Sequence, residues 1–191
     1  MYDYPLEMSF KIVTLGTRVR VMDAAGRQVA YVRKKKFRLK EDTGVYRDES
    51  QKELLLRLKA DRVMDFGASY AVSGADGRPL GAVRQHGVRS LWKSHYSITD
   101  AGGTEIGHVH EENPWVKVLD GLMESLPFGD LFFNPAYLVE LRGGTVLRMK
   151  KERAVLESRF TIEKLGEFSE GNEDLLLAGL IMTVILERDR G

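Results

Sequence analysis

Two histidines one residue apart, His108 and His110, are the residues whose type and spacing most directly suggest chemistry. On a β-strand both imidazoles would project from the same face, a spacing that suits metal binding. The chain has no cysteine, and no histidine follows His110. We therefore expect an exposed pair that holds no metal, with a metal-dependent barrel enzyme using both histidines as the alternative.

A basic segment, RKKKFRLK at 33–40, carries six cations in eight positions. If this segment is a strand, the side chains of Phe37 and Leu39 point toward a core. The opposite face then carries a basic ridge: Lys34, Lys36, Arg38 and Lys40. Each cation near an anionic lipid surface contributes on the order of 1 kcal/mol, so the basic ridge predicts peripheral lipid binding. The alternative is a solvated edge strand whose lysines discourage aggregation.

Arg89 and Lys93 form a secondary basic stripe, because they lie on the opposite face of a predicted strand from Val88 and Trp92. No nucleic-acid partner is expected. The basic ridge lacks exposed aromatic residues for base stacking, and 29 basic against 28 acidic residues leave a net charge of only +1.

Other residues that could do chemistry lack the surroundings that the chemistry needs. Ser90 and Ser94 have His86 and His95 nearby, but no G-x-S-x-G sequence surrounds either serine. Three aspartates lie at predicted turns with too few neighbouring oxygens for calcium: Asp23, Asp76 and Asp100. We expect no catalysis and no cofactor.

Composition is that of a folded globular protein. The chain has 191 residues, of which 43% are hydrophobic and 30% charged, enough for one core and too apolar for disorder. We therefore predict a single domain over 1–191. The absence of cysteine and of a recognisable signal sequence predicts a cytoplasmic protein.

Three stretches, 19–33, 70–84 and 96–110, align with one another without a gap. Each has apolar residues two apart and then a turn with a glycine at the same place: Gly26, Gly77 and Gly103. This pattern predicts β-hairpins. A looser fourth copy at 137–151, with the strands predicted between the copies and near the end of the chain, brings the count to ten to twelve.

After each turn the apolar positions are three apart, as in Val29 to Val32. One extra residue would restore the alternation if it formed a β-bulge. The bulges are predicted at or beside small residues: Ala30, Gly81 and Gly107.

The segment from Leu175 to Leu186 contains no ionisable residue. A helix of this length spans roughly 18 Å, short of the roughly 30 Å of bilayer hydrocarbon, so a membrane span is the weaker interpretation. The helix is apolar on every face and must be surrounded; Asn172 is its predicted N-cap. Its predicted core residues are Leu176, Leu180, Ile181 and Val184.

These elements predict a mainly β protein in which ten to twelve strands close into a barrel around the hydrophobic C-terminal helix. The repeated Y-x-V/I-x-D-x-x-G-x-x-I/L-G-x-V hairpin, the RSLW sequence at 89–92 and the closing helix resemble the LURP-one-related family. The resemblance runs from about Phe10 to Leu186. Relatives of this family are the tubby C-terminal domain and the phospholipid scramblases. The resemblance implies a closed barrel of twelve strands around a central C-terminal helix.

The resemblance implies less about function. Tubby domains bind phosphoinositides through basic surface residues, scramblases act at membranes and are linked to calcium, and most LURP-one-related proteins have no assigned biochemical role. We expect a non-catalytic binding module for anionic membrane lipid, in the cytoplasm and peripheral at the membrane surface. A protein-interaction scaffold is the alternative that would bind an unknown protein partner.

Overall fold

A computed structural model describes residues 1–13, 16–35, 42–60, 68–86, 95–112, 136–152 and 157–188. Twelve strands run through them: β1 (Leu6–Val13), β2 (Gly16–Met22), β3 (Gln28–Lys35), β4 (Thr43–Tyr46), β5 (Leu54–Ala60), β6 (Ser69–Gly74), β7 (Pro79–Gln85), β8 (His95–Asp100), β9 (Glu105–Glu111), β10 (Ala136–Leu141), β11 (Gly144–Glu152) and β12 (Ser158–Lys164). On β6, Tyr70 and Val72 are buried while Ala71 between them is exposed. Such alternation directs one face of the sheet to a core.

The strands form a closed antiparallel barrel. Each strand pairs with its neighbours in sequence, and β1 pairs with β12 to close the sheet. Closure leaves none of these twelve strands at an edge whose backbone groups need protection. The predicted closed barrel is confirmed.

The C-terminal helix, α1 (Glu170–Arg188), lies inside this barrel. Every residue from Leu175 to Leu186 is buried, and the helix packs against β5, β7, β8 and β9. The four predicted core residues have at most 3% of their surface exposed: Leu176, Leu180, Ile181 and Val184. The buried hydroxyl of Thr183 donates to the carbonyl oxygen of Gly179 at 2.9 Å, so it has a partner on the helix itself.

The start of α1 differs from the prediction. The helix begins at Glu170, and the backbone N–H of Asn172 donates to the carbonyl oxygen of Ser169 at 2.9 Å. Asn172 therefore lies within the first turn and is not the N-cap. Among the described residues, no helix combines the length and apolar character needed to cross a bilayer.

The turns of the repeated hairpins use the predicted residues. The glycines have positive φ: +74° at Gly26, +80° at Gly77 and +82° at Gly103. At the first turn, Asp23 Oδ1 accepts hydrogen bonds from the backbone N–H groups of Ala25 and Arg27. The aspartate stabilises the turn, as predicted.

A β-bulge follows the turn in five hairpins, where the register shifts by one residue. The extra residues are Val29, Leu55, Leu80, Ile106 and Val146. Three of them directly precede Ala30, Gly81 and Gly107, beside which the sequence predicted bulges. A Cβ at Gly81 would lie 2.0 Å from the carbonyl oxygen of Thr99 on the next strand, so only glycine allows this approach.

The buried carboxylate of Glu173 ties the N-terminal segment to the first turns of α1. Its two oxygens each lie 3.1 Å from the backbone nitrogen of Tyr2, which donates to them. The hydroxyl of Tyr2 donates to Asp174 Oδ1 at 2.7 Å. Burial, this hydrogen bond and the negative charge of Asp174 raise the pKa of Tyr2 far above its ordinary value.

Glu173→Ala should lower the free energy of unfolding by about 1–3 kcal/mol, because it leaves the N–H of Tyr2 unpaired. Urea denaturation followed by circular dichroism measures the change. Glu170→Ala is the matched control, since Glu170 is exposed on the same first turn. Equal losses in both variants would assign the effect to the charge near the helix N-terminus, and the contact with Tyr2 would then contribute nothing.

Candidate functional site

Four histidines lie side by side on the outer wall of the barrel. They are the only histidines of the chain: His86, His95, His108 and His110. Val109 on β9 is fully buried, so the histidines on either side of it point away from the core. Ring centroids are 5.3 Å apart for His86 and His95, 5.2 Å for His95 and His108, and 5.4 Å for His108 and His110. We call these four residues the histidine cluster.

Glu140 on β10 faces two members of the histidine cluster. The register places it directly opposite His108. Its Oε2 lies 3.0 Å from Nε2 of His108, and its Oε1 lies 3.7 Å from Nε2 of His110. One potential ligand atom from each of the three residues lies within 4.8 Å of the other two. Two imidazoles and a carboxylate therefore converge on one point of the wall.

The sequence predicted an exposed histidine pair, and the structure has it partly buried. The side chains are 31% exposed for His108, 29% for His110 and 28% for Glu140. Neighbouring rings and the carboxylate cover part of each imidazole. Each of the three side chains therefore remains partly accessible from solvent.

Burial lowers the pKa of His95, and positive charge on His108, His86 and His110 lowers it further. These effects favour the neutral form of His95. The δ1 nitrogen of His110 is buried and has no hydrogen-bond partner in the described part of the chain. Neutral imidazoles have one nitrogen with a free lone pair, which is the form that binds metal ions.

His86 contacts a serine other than those considered from the sequence. Its Nε2 lies 2.9 Å from Oγ of Ser97, which is only 2% exposed. Ser90 and Ser94 lie outside the described residues. A hydroxyl buried to this degree presents no surface to a substrate, so the contact gives no support for a hydrolase triad.

Three cations form a second feature of the outer wall, on the neighbouring strands β1, β2 and β3. Lys11 pairs directly with Arg18, and Arg18 pairs directly with Arg33. Phe10 and Val19 beside them are buried, so the cations lie on the outward face, where all three are exposed. None of them has an ion pair with a described residue. We call Lys11, Arg18 and Arg33 the cation row.

The basic ridge predicted from the sequence is described only at its first residue. Lys34 is partly buried and pairs with Thr17, on the strand face that also carries Val32. Arg33, and not Lys34, therefore lies on the outward face of β3. The other residues predicted to bind anions lie outside the described residues: Lys36, Arg38, Lys40, Arg89 and Lys93.

A groove of about 640 Å³ crosses the outer wall at β1, β2 and β12. Its lining includes two cations and three carboxylates: Arg20, Arg159, Glu7, Glu152 and Glu157. Arg20 forms an ion pair with Glu49, and Arg159 with Glu157 at 2.9 Å. Because these charges are compensated, the groove favours an anion less than the cation row does.

Comparison with known protein families gives one match. The family model described as LURP-one-related matches residues 7–122, more than half of the chain. The match covers β1 to β9 and ends before β10, whereas the resemblance seen in the sequence extended to Leu186. No curated protein and no solved structure matches the chain significantly.

Proposed function

We propose that this protein, which belongs to the LURP-one-related family, is a non-catalytic binding module that attaches to anionic phospholipid at a membrane surface. The observation that carries the proposal is the cation row of Lys11, Arg18 and Arg33. Since α1 occupies the inside of the barrel, we place the lipid-binding surface on the outer wall, where the cation row lies.

Electrostatic repulsion within the cation row supports an anionic ligand. Like charges directly opposite on neighbouring strands destabilise a sheet, and Arg18 has a cation on both sides. Edge protection does not explain Lys11 or Arg18, because β1 and β2 are paired on both sides in a closed barrel. Phosphate groups of a lipid surface would relieve this repulsion.

The position of the cation row also supports a membrane surface as the ligand. Arg33 is followed directly by the rest of the basic segment 33–40, so the row and the predicted ridge adjoin along the chain. A broad group of cations suits a charged surface better than a single small anion. Anionic lipids are concentrated in the cytoplasmic leaflet, so we place the module at the cytoplasmic face of a membrane.

Replacing Lys11, Arg18 and Arg33 together with serine should lower the affinity for anionic vesicles on the order of 100-fold, at about 1 kcal/mol per cation. Co-sedimentation with vesicles of phosphatidylcholine, with and without phosphatidylserine, measures the change. Wild-type binding should require phosphatidylserine and weaken from low to physiological salt. A variant with serine at Lys34, Lys36, Arg38 and Lys40 tests the predicted ridge separately.

The matched control removes three other exposed cations, Arg78, Arg84 and Lys150, and should bind as the wild type does. Equal loss in the control would show a dependence on net charge without a defined surface. If the folded wild type does not bind anionic vesicles at low salt, the lipid proposal fails and a protein partner becomes the leading alternative.

A further inference from the structure

We propose that His108, His110 and Glu140 bind a divalent transition-metal ion on the outer wall of the barrel, with a fourth position open to solvent. The chemistry of the ligand set supports this class of ion. Imidazole nitrogens suit ions such as Zn²⁺, Fe²⁺ and Ni²⁺, and two histidines with one carboxylate are a known catalytic-type set with an open position. Calcium and magnesium prefer sites made of oxygen ligands.

The spacing of the three side chains is close to that of an occupied site. Metal–ligand distances of about 2.0–2.2 Å place neighbouring ligand atoms of a tetrahedral ion roughly 3.3 Å apart. Glu140 Oε2 is already 3.0 Å from His108 Nε2, and Oε1 is 3.7 Å from His110 Nε2. The three candidate ligand atoms lie within 4.8 Å of one another, so the widest separation must shorten by at most about 1.5 Å, which small side-chain rotations provide.

The backbone that carries the three side chains is rigid. β9 is hydrogen-bonded to β8 on one side and to β10 on the other, and from Gly107 to His110 both registers are unbroken. His108 and His110 therefore project from one face at the spacing of a strand, and Glu140 stands opposite His108. Sites carried on strands hold their geometry better than sites on loops. Little conformational freedom is therefore lost when an ion binds.

A simple surface ion pair explains less of this arrangement. Such a pair needs one histidine and one carboxylate and contributes only about 0–1 kcal/mol. Here one carboxylate faces two histidines, while His95 stacks on His108 and His86 contacts His95 edge-on.

This site is separate from the proposed lipid surface. His108 and His110 lie on β9, five strands away from β2 around the closed sheet. Metal binding and vesicle binding can therefore be lost independently. Either proposal can fail without the other.

Isothermal titration calorimetry of the tag-free protein with Zn²⁺ tests the site. The wild type should bind one equivalent with a dissociation constant below about 0.1 mM. His108→Gln and Glu140→Gln should each weaken Zn²⁺ binding at least about 10-fold. Mutation of residues that only hydrogen-bond to metal ligands already lowers metal affinity about 10–100-fold. His86→Gln is the matched control: it removes a histidine of the cluster that is not among the proposed ligands, and it should change the affinity less than either ligand variant.

Binding by the wild type and the control, with loss in both ligand variants, supports the site. The proposal is overturned if the folded wild type binds no Zn²⁺ with a dissociation constant below about 0.1 mM. It is also overturned if binding persists in both ligand variants. If a variant does not fold, nuclear magnetic resonance of the wild type decides. Zn²⁺ should shift the ring signals of His108 and His110 most, whereas larger shifts at His86 would contradict the assignment.

Discussion

Leu180→Asp should abolish folding of the protein. Leu180 is 0% exposed, on a helix whose every face is buried inside the barrel. The substitution loses about 2–5 kcal/mol of packing and burial. It also places an unpaired charge in a hydrocarbon environment, at a further cost of several kcal/mol. Since a typical protein has only about 5–15 kcal/mol of stability, we expect no cooperative unfolding transition by circular dichroism.

Leu165→Asp is the matched control for this prediction. Leu165 is 54% exposed, just beyond β12, so the same change there should alter the free energy of unfolding by less than about 0.5 kcal/mol. Ile181→Asp should behave as Leu180→Asp does, because Ile181 is also 0% exposed. Variants of the helix that stay folded and merely lose attachment to membranes would show that the helix is an anchor and not the centre of the core.

Gly81→Ala should destabilise the barrel by at least about 2 kcal/mol. The added methyl group would lie 2.0 Å from the carbonyl oxygen of Thr99 and 3.0 Å from Cδ2 of Leu175. Gly81 also has a φ of +154°, which side-chain-bearing residues rarely adopt. Relief of the clash requires β7 and β8 to separate next to the helix. Urea unfolding should show a lower midpoint with an unchanged slope.

Gly171→Ala is the control that separates crowding from the general effect of losing a glycine. Gly171 lies in α1, and a Cβ there would meet no atom within 4 Å. Alanine at this position should leave stability unchanged or raise it by up to about 1 kcal/mol. Equal destabilisation in both variants would contradict the role of the close approach at Gly81.

The filled barrel determines where function has to be sought. A barrel with an empty interior could hold a small ligand, but here the side chains of α1 take that space. The cation row and the site at Glu140 both lie on the outer wall, on different strands. Surface recognition is therefore the common element of both proposals.

Sequence reasoning singled out two of the three residues of the proposed metal site, although it predicted that they hold no metal. The spacing of His108 and His110 indicated two imidazoles on one strand face, and their places next to Val109 are confirmed. Glu140 was missed because it lies thirty residues further along the chain, and nothing in its neighbourhood suggests a ligand. Its place opposite His108 follows from the pairing of β9 with β10.

The cation row shows the same limit. The run of charge at 33–40 is evident in the sequence, but Lys11 and Arg18 are single cations in ordinary strand patterns. They become one feature with Arg33 only through the registers of two strand pairs. Alternation counted along the segment put Lys34 on the outward face, whereas the pairing with Thr17 puts it on the face of Val32.

The fold could be inferred from the chain because its signals are local. Turn glycines, the extra residue after each turn and an uncharged apolar helix of limited length are properties of neighbouring residues, and they predicted hairpins, bulges and a central helix correctly. The sites depend on which strands are adjacent and in what register. A shift of one residue sends every side chain to the opposite face, so side chains distant in sequence are brought together only when the barrel closes.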